Sequence, residues 1–243
     1  MGIFTVCGLL YGDYPELARR LLTSWGLLAS GDCQFRLGLN AVSPETQAVV
    51  DEFVDGGILK DANIWRTSVN IHKYPLMRRM LYYSPVETPA IMWFDDDSYV
   101  LSKSVLDVSW HWLSRNRAEE GASMVGAILY CRLGGKQSKW IADQPWSKRP
   151  VPARERVRFI VGGWWGMRTE VLYALNWPWP DLDHRGGDVM LGAAMSQQDY
   201  DIKNLPGLVA INADENGKNH KAKRRGFNSP PIGWHYDPDK VRA

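Results

Sequence analysis

Over residues 2–97, four short apolar runs alternate with three stretches of helical spacing, and that alternation leaves few folds open. GIFTVCGLLYG (2–12) is apolar, partly β-branched and closed by Gly12, the pattern of a buried strand. From Tyr14 to Leu28 the apolar positions Leu17, Leu21, Leu22 and Trp25 fall on one helical face, and Pro15 suits a first turn. CQFRLGLNAV (33–42) reads as a second strand. Ser43 and Pro44 open a helix through Val49, Val50 and Phe53, as N-cap and first residue, and Gly56-Gly57 stops it. NIWRTSVN (63–70) is a third strand, KYPLMRRMLYY (73–83) a short helix after Pro75, and PAIMWFDD (89–96) an apolar strand that ends abruptly in acid. Strands joined by helices predict an α/β protein with a parallel sheet.

Beyond Asp97 the order loosens. SVLDVSWHWLSRNRA (104–118) reads as a helix capped by Ser102 or Ser104, and ASMVGAILYCRL (122–133) as a strand. Residues 134–158 hold few apolar positions and predict a mobile loop. RFIVGGWWGMR (158–168) is a strand that breaks at paired glycines, followed by helices at 169–177 and 186–198, the second entered through Gly186-Gly187-Asp188. With no repeat and no clear linker, the expectation is one domain over 1–243, with halves 1–100 and 101–236 and a polar, basic tail over 212–243.

Hydrophobic residues make up 45% and charged residues 23%, which excludes a disordered or collagen-like chain. No run approaches the roughly 18 apolar residues of a membrane span. The opening residues lack a basic n-region, so they do not read as a signal peptide. Three cysteines without CxxC spacing fit reduced, buried thiols in a cytoplasmic protein.

The net charge of +2 hides an asymmetry. KRPVPARERVR (148–158) and KNHKAKRR (218–225) together hold ten of the 29 basic residues and one of the 27 acidic ones. A mildly acidic body carrying two basic segments points to a polyanionic partner. Twelve tryptophans are several times ordinary usage, and some are candidates for stacking on a sugar or a base: Trp164 and Trp165 after Gly162-Gly163, or Trp177 and Trp179.

Asp95-Asp96-Asp97 is the sharpest signal. A buried strand delivers three adjacent carboxylates to its carboxyl end, where open α/β sheets bind ligands. Adjacent carboxylates repel unless a cation neutralises them, and hard oxygen ligands suit Mg²⁺ or Mn²⁺ together with substrate phosphates. An acidic helix cap accounts for one Asp, less readily for three.

A buried strand ending in Asp-Asp-Asp and followed by Tyr99-Val100 resembles the DxD signature of GT-A nucleotide-sugar glycosyltransferases, most closely the fringe and β1,3-galactosyltransferase pattern. Ile160-Val161-Gly162-Gly163-Trp164-Trp165-Gly166, Gly187-Asp188-Val189-Met190-Leu191-Gly192 and Gly233-Trp234-His235-Tyr236 resemble that group's later segments, in order. The group's eukaryotic members are anchored in membranes and carry paired cysteines, unlike this chain. A closer resemblance is to small GT-A glycosyltransferases that phages encode beside TET-like oxygenases. The segment Asn70–Arg78 is similar to their basic motif.

The resemblance implies a GT-A-like, Rossmann-type mixed and mainly parallel sheet flanked by helices. It implies a UDP-sugar donor with Mn²⁺ or Mg²⁺ on Asp95, Asp97 and His235, and donor contacts from Cys7, Gly8, Leu9, Lys73, Arg78 and Asp96. The acceptor side falls to Gly162, Gly163, Trp164 and Trp165, and the general base to Asp188. The expected acceptor is a 5-hydroxymethylpyrimidine in DNA held by Arg154, Arg156, Lys218, Lys221, Lys223, Arg224 and Arg225, and the expected location is the cytoplasm, a host's if the chain is phage-encoded. A glycan, protein or small-molecule acceptor, a non-catalytic nucleic-acid-binding protein and a two-metal nuclease are the competing readings.

Overall fold

The computed structural model describes residues 2–29, 32–182 and 186–211. The apolar runs form strands β1 (Phe4–Tyr11), β2 (Cys33–Asn40), β3 (Asn63–Thr67) and β4 (Ala90–Asp95). Between them lie α1 (Pro15–Trp25), α2 (Pro44–Asp55) and α3 (Lys73–Tyr82). Ser43 caps α2 as expected, its hydroxyl accepting from the Thr46 N–H at 3.2 Å. α3 begins at Lys73, two residues ahead of Pro75, because a proline in a first turn lacks only an N–H that has no helical partner there.

Next come a two-residue strand β5 (Tyr99–Val100), α4 (Val105–Leu113), β6 (Met124–Arg132), α5 (Gly135–Ala142), β7 (Arg156–Arg168), α6 (Thr169–Ala174), α7 (Gly187–Gln197), β8 (Ile202–Asn204) and β9 (Val209–Ala210). The loop expected over 134–158 thus contains a helix. Only Ser138 and Ile141 of α5 are buried, too few apolar positions to show a helical period in the sequence. The Gln137 side chain accepts from the Gly134 N–H at 2.9 Å and caps its start. β8 and the β5–β9 ribbon are too short to have shown as runs.

Seven strands form one sheet in the order β3-β2-β1-β4-β7-β6-β8. β7 alone runs antiparallel to its neighbours, so the mixed, mainly parallel sheet is as expected. The pleat sorts side chains onto two faces. Phe4, Val6 and Leu10 of β1 pack with Met92 and Phe94 of β4 against α1, α2 and α4. Cys7, Leu9, Ile91 and Trp93 pack against α3, α6 and α7 on the other face. A third, smaller core joins Val157 and Phe159 of β7 to Ile141 of α5 and to Val189 and Ala193 of α7.

The chain leaves β1 for β2 on one side and β4 lies on the other, so a crevice opens at the carboxyl ends of β1 and β4, where Leu9 is in register with Asp95. All three cysteines are free; Cys7 is buried, whereas Cys33 and Cys131 are half-buried. No described helix is long and apolar enough to cross a membrane.

Candidate active site

Asp95 is the last residue of β4 and is partly open to solvent. Its two oxygens have different partners. The indole N–H of fully buried Trp93, two residues earlier on the same face, donates to Oδ1 at 2.9 Å, and the Lys73 ammonium donates to Oδ2 at 2.6 Å. Lys73 opens α3, a position where the helix dipole disfavours a cation. The carboxylate of Asp95 offsets that, and a second bond from Lys73 Nζ to the Gly162 carbonyl oxygen at 2.9 Å fixes the ammonium.

Gly162 reaches Lys73 because β7 breaks there. Gly126 of β6 is paired with Trp165 and Ile128 with Ile160, so residues 161–164 of β7 stand opposite Ala127 alone and bulge. A Cβ at position 162 would stand 3.3 Å from Lys73 Nζ and 3.7 Å from Asp188 Oδ2, so only a glycine leaves the space between the two charges clear.

Asp188 sits in the first turn of α7, whose start turns through Gly186 at a φ of 76°. A carboxylate there is favoured by the helix dipole. Its Oδ1 accepts from the Val189 N–H at 3.0 Å. Burial pushes the Asp188 carboxyl above the ordinary carboxylate range, against the pull of Lys73 and of the N–H groups of Val189, Gly162 and Asp188 itself. Tyr74 packs against Gly187, and burial, with Asp188 and Asp95 nearby, raises its phenol well above the usual range, so it stays neutral. Four separate segments thus converge on one charged cluster, through Lys73, Asp95, Gly162 and Asp188.

The approach to Lys73 is shaped by a polar network. Asn40, buried at the end of β2, donates to Asn70 Oδ1 at 2.9 Å and accepts from the Ile71 N–H at 3.0 Å. Asn70 Oδ1 also accepts from the His72 N–H at 2.8 Å, and His72 adopts a φ of 69° just before Lys73. An open cleft of about 510 Å³ lies beside it, lined by Leu39, Ser43, Gln47, Arg66 and Thr67 among others. Sequence reasoning missed Asn40, Trp93 and Tyr74 as site residues; a polar Asn closing an apolar strand was the one local signal, and the partners that matter lie on other elements.

Other expected residues stand elsewhere. Cys7, Gly8 and Leu9 are buried residues of β1, and Leu9 is in register with Asp95. They lie inside β1, two or more residues short of its end at Tyr11, and burial pushes the Cys7 thiol up to about 12. A Cβ on Gly8 would come within 2.7 Å of the Trp25 ring. Arg78 braces α3 instead, donating to the Pro178 carbonyl oxygen at 2.7 Å and to Asn176 Oδ1 at 3.0 Å, with its guanidinium 4.1 Å over the Tyr82 ring.

Trp164 and Trp165 are core residues on opposite faces of the sheet, with no surface left for an acceptor. Trp165 stacks on Trp93 with centroids 6.1 Å apart. Trp177 and Trp179 are buried as well, edge to face at 4.8 Å. Gly163 is buried in the bulge, and Asp96 and Asp97 are buried in the turn after β4. Arg154 and Arg156 are exposed. His235, Lys218, Lys221, Lys223, Arg224 and Arg225 lie outside the described residues.

This geometry bears directly on the expected metal. Both oxygens of Asp95 are engaged, one by an ammonium that already neutralises it, and no group of three His, Cys, Asp or Glu side chains among the described residues can hold a metal ion. The described donor set does not fit a divalent cation as it stands.

No family model and no curated protein matches the chain by sequence. Solved structures do match in fold. The mannosyltransferase PcManGT from Pyrobaculum calidifontis, in complex with GDP-Man and Mn²⁺, superposes with a TM-score of 0.59 at 13% identity, over 85% of this chain and 55% of that one. S. aureus TarS 1–349 gives 0.54 at 15% identity, over 85% and 58%, and the same protein with UDP gives 0.52 at 14%. The chain thus spans little more than half the length of these proteins. At such identity the likeness establishes the architecture, that of the GT-A-type glycosyltransferases.

Proposed function

We propose that the chain is a glycosyltransferase that moves a sugar from a nucleoside diphosphate to a hydroxyl acceptor. The observation that carries this reading is the convergence of Lys73, Asp95, Gly162 and Asp188 at the carboxyl edge of a GT-A-type sheet. The fold's neighbours with GDP-Man and with UDP support a nucleotide-sugar donor. We assign the donor's nucleotide end to the cleft at the ends of β2 and β3, and its diphosphate to the neighbourhood of Lys73.

In the reaction the acceptor oxygen bonds to the anomeric carbon, the bond to the diphosphate breaks, and its electron pair leaves with the phosphate oxygen. Lys73 supplies fixed positive charge where that negative charge grows, a role in which a preorganised cation acts most strongly. The acceptor hydroxyl gives its proton to Asp188, whose raised pKa makes it a better proton acceptor than an ordinary carboxylate while Lys73 keeps it ionisable. Gly162, between the two, leaves room for the acceptor.

Among acceptors, we favour a hydroxymethylpyrimidine in DNA. The support is the charge asymmetry: exposed basic residues gather around Arg154 and Arg156, at the start of the strand that carries Gly162. The test is incubation with hydroxymethylated DNA and a panel of UDP-sugars and GDP-mannose, read by nucleoside mass spectrometry. Release of UDP or GDP without a sugar-bearing nucleoside moves the acceptor to a glycan or small molecule. No donor binding at all overturns the glycosyltransferase reading.

A further inference from the structure

The segment from Ile128 to Arg158 forms an arm: the end of β6, helix α5 and the start of β7. It carries eight basic residues, Arg132, Lys136, Lys139, Lys148, Arg149, Arg154, Arg156 and Arg158, against two acids, Asp143 and Glu155. All eight are exposed. Arg149 pairs with Glu155 at 2.9 Å and Lys148 with Asp199 at 3.6 Å. The other six make no ion pair among the described residues.

Strand register gathers half of the six. In the β6–β7 ladder Tyr130 lies opposite Arg158 and Arg132 opposite Arg156, so these four side chains share one face. The alternate residues Val157 and Phe159 go into the core under α5 and α7. Arg156 lies over the Tyr130 ring at 4.2 Å, and Tyr130 remains half exposed. Like charges directly opposite on neighbouring strands destabilise a sheet. Arg132 and Arg156 are such an opposed pair, and Arg158, two residues along, donates to the Ile202 carbonyl oxygen at 3.0 Å. The opposed pair weakens this hairpin, and an anion laid across it relieves the repulsion.

The donor is not that anion. Gly162 is four positions along the strand from Arg158, roughly 13 Å at about 3.3 Å per residue. That is too far for a diphosphate that must meet Lys73, and it suits further phosphates on a polymeric acceptor. We infer that this face of the arm binds the phosphodiester backbone of nucleic acid and holds the strand while one of its bases reaches Asp188. Guanidiniums match phosphate oxygens in pairs, and a ring beneath one of them offers a stacking surface without sequence preference. An anionic membrane would call for an apolar stripe to insert, whereas this face sets arginines around the ring of Tyr130. The inference rests on the reading of the chain as a glycosyltransferase with a polymeric acceptor.

The test uses the full chain and the triple variant Arg132→Gln/Arg156→Gln/Arg158→Gln. Anisotropy of labelled single-stranded and duplex DNA is followed across a salt series, with UDP binding by calorimetry and melting as controls. The variant is expected to bind DNA at least about tenfold more weakly at 100 mM salt. Its log–log salt slope should be shallower by about 0.9 for each phosphate no longer neutralised, so by two to three. UDP binding and melting should be unchanged, or melting raised. A second variant, Lys136→Gln/Lys139→Gln, should show a smaller loss of the same kind. Wild-type DNA affinity and slope in the triple variant would overturn the inference, as would wild-type protein that ignores DNA but binds phosphatidylserine vesicles. If DNA binding falls as expected while neither protein binds UDP, the arm stands and the glycosyltransferase reading fails.

Discussion

Replacing Lys73 by Met removes one ammonium and keeps most of the side chain's bulk. The lysine is 12% and the Asp95 side chain 25% exposed, so the pair is largely out of water. Breaking a buried pair from one side typically costs 3–5 kcal/mol. Solvent reaches a quarter of Asp95 and Trp93 still donates to it, so we expect the lower end or less, about 2 kcal/mol. For a chain of this size that lowers the melting temperature by roughly 4–8 °C. Loss of one preorganised charge-stabilising donor should lower kcat by on the order of 10²–10³.

The pH profile carries the sharper test of Lys73. Burial raises the Asp188 pKa and Lys73 is the largest influence lowering it. Without Lys73 the carboxyl titrates at still higher pH. A base works only when unprotonated, so activity is lost as pH falls through its pKa, and the acid limb of kcat/KM must move to higher pH in Lys73→Met. Lys73→Arg, which keeps the charge, should move it less. Nucleotide release between pH 5 and 9 and differential scanning fluorimetry measure both effects. A Lys73→Met protein with unchanged melting and an unmoved acid limb would refute the assignment of Lys73 as the ion that ties Asp95 to Asp188.

Asp188→Asn should lower kcat by about 10²-fold or more with donor affinity little changed; collapse of UDP binding in calorimetry would make Asp188 a ligand or a cap instead. Asn40→Ala, which removes one donor to Asn70 Oδ1 and the acceptor of the Ile71 N–H, should cut kcat/KM several-fold with an intact fold, and full activity would show that the loop before Lys73 holds itself. Gly8→Ala should destabilise by about 1–3 kcal/mol, because its methyl meets Trp25 at 2.7 Å in a packed core; unfolding in urea would show it, and a neutral change would contradict the packing.

Much of this protein is written locally. Apolar runs of strand length, helical spacing between them and a cap at Ser43 define a parallel α/β sheet, because each signal depends on residues a few positions apart. The abrupt acid after Trp93-Phe94, the paired glycines at 162–163 and the glycine entry to Asp188 marked the segments that meet at the candidate site for the same reason. What the neighbourhood could not state is which partner each side chain takes. Lys73 and Asp95 are 22 positions apart and Lys73 and Gly162 are 89 apart, so only the crossing of α3 onto the end of β4 and the bulge of β7 makes them one cluster. Trp164 and Trp165 looked like a stacking pair beside paired glycines, but adjacent residues on a strand face opposite ways, and helices cover both faces here. Arg78 looked like a phosphate ligand, yet the return of the chain through Asn176 and Pro178 gives it carbonyls to hold. Residues 134–158 passed for a loop because their helix buries two residues, and the cationic face of the arm exists only through the register of β6 on β7. Periodicity settles the elements; contacts between residues tens of positions apart are settled only when the chain closes on itself and burial forces every charge to find its partner.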